Sequence, residues 1–86
     1  MRIIVSIFDN ATKSYTPPVY SVAKGEAIRS FMDLLDDQNS QYAKHPEDFS
    51  LFYLGTFDES TGMFKTVNPE KLIGLWETRE LKEAMS

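Results

Sequence analysis

The sequence predicts an α+β fold: two antiparallel hairpins forming one four-stranded sheet, a helix packed on one face, and a C-terminal helical tail, in the order β-β-α-β-β. Three observations carry this reading. Arg2 to Phe8 is rich in β-branched residues and alternates Ile3, Val5 and Ile7 with Ile4, Ser6 and Phe8, the period of a strand. From Gly25 the apolar period lengthens to that of a helix, with Ile28, Phe31, Met32 and Leu35 at i, i+3, i+4 and i+7. Ser50 to Phe57 and Met63 to Val67 then flank the turn residues Asp58, Glu59, Ser60, Thr61 and Gly62, which reads as a hairpin.

Between these anchors, Asp9 to Ser14 reads as a turn and Tyr15 to Val22 as a second strand. Pro17 and Pro18 have no amide hydrogen to donate, so that strand belongs at an edge of the sheet. Ala27 and Leu34 widen the apolar stripe of the main helix, and Glu26 suits its first turn. Asp33, Asp36 and Asp37 oppose the dipole at its end, which places its stop within Asp36 to Ser40. Gln38 to Lys44 is a polar connection. His45 to Phe49 predicts a tight turn or a single helical turn led by Pro46. Asn68, Pro69 and Glu70 carry the signature of a capped short helix, interrupted at Gly74 and Trp76. Glu77 to Met85 then has helical propensity, with Arg79 and Glu83 paired at i, i+4. The expected organisation is a core domain over residues 1–72 and a helical tail over 73–86.

The chain has 86 residues, 42% of them hydrophobic and 13% aromatic, enough for one packed core. Absence of cysteine excludes disulfides, thiol catalysis and Cys-based zinc sites. The apolar run Ile3 to Phe8 is too short for a secretory or membrane segment, so the expectation is a cytoplasmic protein with no membrane partner. A net charge of −4 has the wrong sign for bulk electrostatic attachment to nucleic acid; such binding needs a local patch.

One helix covers one face of a sheet, yet these strands are apolar on both sides. The row Ile3, Val5 and Ile7 is expected to meet the helix, and Ile4, Ser6 and Phe8 to face away. In the third strand Phe52 and Leu54 alternate with Leu51, Tyr53, Gly55 and Phe57, and the pattern does not choose between the two rows. Surface left on the open side marks an interaction site. Three covers fit it: the tail around Leu75, Trp76 and Leu81, which is the simplest, a second copy of the chain, or stacked nucleobases.

Catalytic signals are sparse, and no enzymatic activity or cofactor is expected. His45 with Glu47 and Asp48 lacks a second histidine and any known ligand spacing, so no metal is expected. The carboxylate pairs Asp36 and Asp37, Glu47 and Asp48, and Asp58 and Glu59 fall in turns, where acidic residues are ordinary. No nucleophile elbow or phosphate-binding glycine loop is present. Arg29 stands within reach of Glu26 and Asp33, and exposed ion pairs are its expected role. Aromatic residues interleaved with Arg2 and Lys65 suit single-stranded nucleic acid, where bases stack on rings and cations follow the backbone. Most rings in so small a domain belong to the core.

Several segments resemble one family. They are Gly25, Glu26, Ala27, Ile28, Arg29, Ser30 and Phe31; Lys44, His45, Pro46, Glu47, Asp48, Phe49, Ser50 and Leu51; and Gly55, Thr56, Phe57, Asp58, Glu59, Thr61 and Gly62. Ile7, Phe8 and Asp9, with Pro17 and Pro18, match its opening. Together they resemble the small nonstructural protein of gokushovirus-type microviruses, bacteriophages with circular single-stranded DNA genomes. The likeness spans most of residues 3–72. It implies an accessory protein made in the cytoplasm of the infected bacterium and absent from the virion, serving genome replication and single-stranded DNA synthesis. It carries no catalytic residues to transfer.

The expected function is therefore support of viral single-stranded DNA synthesis, by weak binding of single-stranded DNA or by binding the viral or host replication proteins that hold it. Candidate DNA contacts are Arg2, Lys24, Arg29, Lys44 and Lys65, with Tyr53 and Phe57 as stacking rings. The alternative is a homodimeric protein–protein adaptor that grips its partner with the open sheet face and never touches DNA.

Overall fold

A computed structural model describes residues 1–85. Its strands are β1 (Arg2–Asp9), β2 (Ser14–Tyr15), β3 (Val19–Ser21), β4 (Phe49–Asp58) and β5 (Met63–Gly74), and its helices α1 (Lys24–Met32), α2 (Gln41–Lys44) and α3 (Leu75–Met85). They form one antiparallel sheet of five strands in the order β2-β1-β4-β5, with β3 also paired to β1. The two expected hairpins are present, joined by β1 and β4, whose pairing runs from Arg2 opposite Phe57 to Asp9 opposite Phe49.

The expected second strand is two short ones, which raises the strand number from four to five. The break at Thr16–Pro18 follows from the prolines, which cannot donate to the ladder. Thr16 bridges the gap. Its amide donates to the Ile7 carbonyl at 2.8 Å, its hydroxyl accepts from the Ile7 amide at 3.0 Å, and its carbonyl accepts from the buried Ser6 hydroxyl at 2.6 Å. Both pieces lie at the sheet edge, as the prolines require.

A second difference lies in β5. The short helix expected from Asn68 and Pro69 does not form; the chain stays extended to Gly74. Gly55 pairs with Thr66 and Tyr53 with Glu70, so residues 67–69 oppose Leu54 alone in a bulge. An edge strand with a bulge absorbs Pro69 because no ladder hydrogen bond is asked of it there. Register with β1 also shifts beside Leu54, between Ile4 and Val5. At this kink Gly55 has φ +142°, and a Cβ on it would lie 2.2 Å from the Lys65 carbonyl oxygen, so only glycine fits.

Within the polar connection Gln38 to Lys44, Gln41–Lys44 forms a helical turn, capped by the Ser40 hydroxyl, which accepts from the Ala43 amide at 3.2 Å. Pro46 leads a 3-10 turn, as expected, and is buried. The acidic end of the main helix finds a counter-charge in α3, where Lys82 pairs with Asp36.

The core gathers Val5, Phe49 and Leu51 of the sheet with Ala27, Phe31 and Leu35, and Leu75 at the start of α3 is fully buried among them. Ile3 and Ile7 pack against this cluster, so the aliphatic row of β1 faces the helices as expected. The tail does not close the opposite face. Helix α3 packs beside α1 and against the Pro46–Asp48 turn, β4 and β5. Ile73, opposite Leu51, brings the chain out on the helix side, and the immediate turn at Leu75 leaves α3 no path across the sheet. Thr78, also fully buried, donates its hydroxyl to the Leu75 carbonyl at 2.7 Å. No described helix is long and apolar enough to cross a membrane.

Candidate functional site

Residues directly opposite one another in an antiparallel sheet share a face, so register assigns each ring to a side. Phe8 opposes Tyr15, Ser6 opposes Phe52, Ile4 opposes Tyr20 and Gly55, and Phe57 opposes both Arg2 and Phe64. All of these lie on the side away from the helices. The rings form two clusters. In one, Tyr15 stands 4.8 Å from Phe8 and 5.5 Å from Phe52, centroid to centroid; in the other, Phe57 stands 5.5 Å from Tyr20 and 5.0 Å from Phe64. Ile4 and Ser6 are buried on this face although no described helix covers it. Tyr20 and Phe64 remain 52% and 57% exposed, enough for a ligand to reach them.

The candidate contacts do not form one patch. Phe57 is the centre of the second ring cluster. Tyr53 lies on the helix side, opposite Val5, with the Lys24 ammonium 4.6 Å from its ring centroid. Lys65, opposite Thr56, is on that side too and borders a hollow shared with Tyr53, Met63 and Val67. Simple alternation puts Tyr53 and Phe57 on one face, and the extra residue at Leu54 separates them. Arg2 lies on the bare face, but Glu59 holds it at 3.5 Å and holds the N-terminal ammonium at 2.8 Å. The hydrogen bond from that ammonium, with smaller help from Arg2, holds the pKa of Glu59 below the usual glutamate range. Asp58 is lowered likewise, chiefly by the Ser60 hydroxyl, which donates to it at 2.7 Å. Arg29 projects from α1 and Lys44 ends α2, both exposed. Among the described residues Arg29 pairs with neither Glu26 nor Asp33, so the expected ion pairs are absent.

Sequence reasoning passed over Tyr15, Tyr20 and Phe64 as platform residues. Strand periodicity alone ranks them with the core; cross-strand register is what sets them beside Phe57.

The ligand atoms of His45, Glu47 and Asp48 lie within 4.8 Å of one another. Adjacency in a tight turn explains this. The backbone there is structural: the Asp48 amide donates to the His45 carbonyl at 3.1 Å, and the Asn10 amide donates to the Asp48 carbonyl at 2.8 Å, tying the end of β1 to the start of β4.

Together these features define a class: a small α+β protein that stacks all its long helices on one side of a sheet and leaves aromatic rings across the other. The chain belongs to the Phage ORF5 protein family, which matches residues 2–80. Protein ORF5 of Chlamydia phage 1, a gokushovirus-type microvirus, is 40% identical over 68 residues, covering 73% of this chain and 70% of that one. The resemblance read from the three sequence blocks is therefore correct, and the family match extends past residue 72 into α3. No solved structure matches the chain.

Proposed function

We propose that this phage protein acts by binding rather than by catalysis, and that it supports synthesis of the single-stranded genome by holding single-stranded DNA weakly on its bare sheet face. The observation that carries the reading is the pair of ring clusters on a face that no described helix covers, their outer rings Tyr15, Tyr20 and Phe64 being 45%, 52% and 57% exposed. Every base has a π-face, so such a platform is tolerant of sequence, and each stacked base contributes roughly 1–3 kcal/mol.

Charge sets the strength. Of the cations that register places on this face, Arg2 is occupied by Glu59 and Lys71 by Glu77 at 3.3 Å. Stacking dominates and phosphate contacts are few. With one or two phosphates neutralised, the logarithm of affinity falls with the logarithm of salt at a slope of about −0.7 to −1.4. A labelled oligothymidylate titrated across a salt series measures this slope. Replacing Tyr20 by alanine is expected to weaken binding roughly five- to a hundredfold, with the fold intact. Absence of binding at low salt overturns the proposal. Binding unaffected by Tyr20→Ala and Phe57→Ala moves the DNA off this face and overturns it equally. In the infected bacterium the same surface would work in the cytoplasm, where the genome is copied.

A further inference from the structure

The two edges of the sheet are built differently. An unpaired strand edge presents a row of backbone donors and acceptors that another chain can pair with, and proteins usually blunt it. On one side Pro17 and Pro18 split β2 from β3 and leave no continuous edge. On the other, β5 runs for 12 residues with residues 61–71 all exposed. Its stretch Met63 to Val67 contains no proline or glycine, and Lys65 is its single charge. The apolar side chains there are exposed on both faces of the sheet: Met63 by 69% and Phe64 by 57%. A segment open on both faces and along its backbone has the form of a strand awaiting a neighbour.

We propose that the neighbour is a second copy of this chain, paired antiparallel along β5 about a two-fold axis through Phe64. Because opposite residues must share a face, such an axis passes through a residue position. An axis at Lys65 sets two ammonium groups directly opposite each other, which disfavours it. An axis at Thr66 drives Met63 against Pro69 in the bulge, where the ladder is interrupted. An axis at Phe64 places Phe64 against its own copy, Met63 against Lys65 and Gly62 against Thr66. It juxtaposes no like charges and ends before the bulge. The two Phe64 rings then meet on the bare face, and the row Tyr20, Phe57, Phe64 of one copy continues into that of the other.

The pairing needs no nucleic acid, so its test is separate from that of DNA binding. Light scattering on the purified chain, at concentrations up to about 1 mM to reach weak dimers, is expected to give twice the chain mass. Phe64→Glu and Phe64→Lys each place like charges on the axis, and each is expected to weaken association at least about tenfold while circular dichroism stays unchanged. Mixed in equal amounts, the two variants are expected to associate again. The chain has no cysteine, so Phe64→Cys offers a second readout: on oxidation it should form a disulfide-linked dimer, whereas Val22→Cys should not. Persistence of the single-chain mass in the unmodified protein, undiminished association of Phe64→Glu, or failure of the mixture to re-associate would each overturn the proposal.

Discussion

On the helix side of the sheet, Val5 and Leu51 are 2% and 3% exposed beneath Phe31 and Leu75; on the other side Tyr20 and Phe64 keep more than half their surface. Both sides are apolar, and burial divides them. Helices α1 and α3 compete for the same side because the chain leaves β5 there, so the aromatic side has only itself for cover. The difference teaches that hydrophobic content does not say which surface is core. Cover does: the helices bury Val5 and Leu51 on one face, and on the other Ile4 is buried between its neighbouring strands while Tyr20 and Phe64 stay available for a partner.

Truncation separates the two faces most sharply. Phe31→Ala should cost roughly 3–5 kcal/mol, through lost burial and the cavity left behind, while Phe64→Ala should stay within about 0.5 kcal/mol of the unmodified protein. Urea unfolding followed by circular dichroism measures both, and equal losses would erase the distinction.

Gly55 joins the two halves of β4, and its replacement tests whether the kink is required. Gly55→Ala brings a methyl group onto the Lys65 carbonyl at a left-handed backbone position, and a loss of about 3 kcal/mol is expected. Amide exchange should place the damage in residues 63–70 of β5, leaving the core around Leu51 better protected.

Smaller effects come from the surface. Lys82→Ala removes the counter-charge of Asp36 from an exposed pair and should cost about 0.3–1 kcal/mol, falling with added salt. At the tip of the hairpin, the pKa values of Glu59 and Asp58 lie below the ordinary carboxylate range in the folded chain. Their contribution is therefore fully present above that range and lost as pH falls through the lowered values. Comparing Glu59→Gln with the unmodified protein by urea titration should show a small deficit at neutral pH that vanishes in acid.

Much of this architecture was legible in the residues. The alternation of Ile3, Val5 and Ile7, the helical stripe of Ile28, Phe31 and Leu35, and the Asp58 to Gly62 turn each report a local period or turn chemistry, and each element formed where it was expected. Pro17 and Pro18 announced an edge because a missing donor is a property of the residue itself. Asn68 and Pro69 misled, since the same pair that opens a helix also fits an edge bulge, and β4 as a pairing partner tipped the choice. The candidate site was less legible. Tyr53 and Phe57 stand four residues apart, an even spacing in a strand, yet the unpaired Leu54 sends them to opposite faces.

Local backbone preference and hydrophobic period thus specify which segments are strand or helix, because those forces act among residues near in sequence. The side each ring faces, the placement of α3 beside α1, and the bare aromatic surface that results arise from register and packing between distant segments. No short stretch of the chain contains that information, because the contacts that decide it form only when β1, β4 and β5 lie side by side.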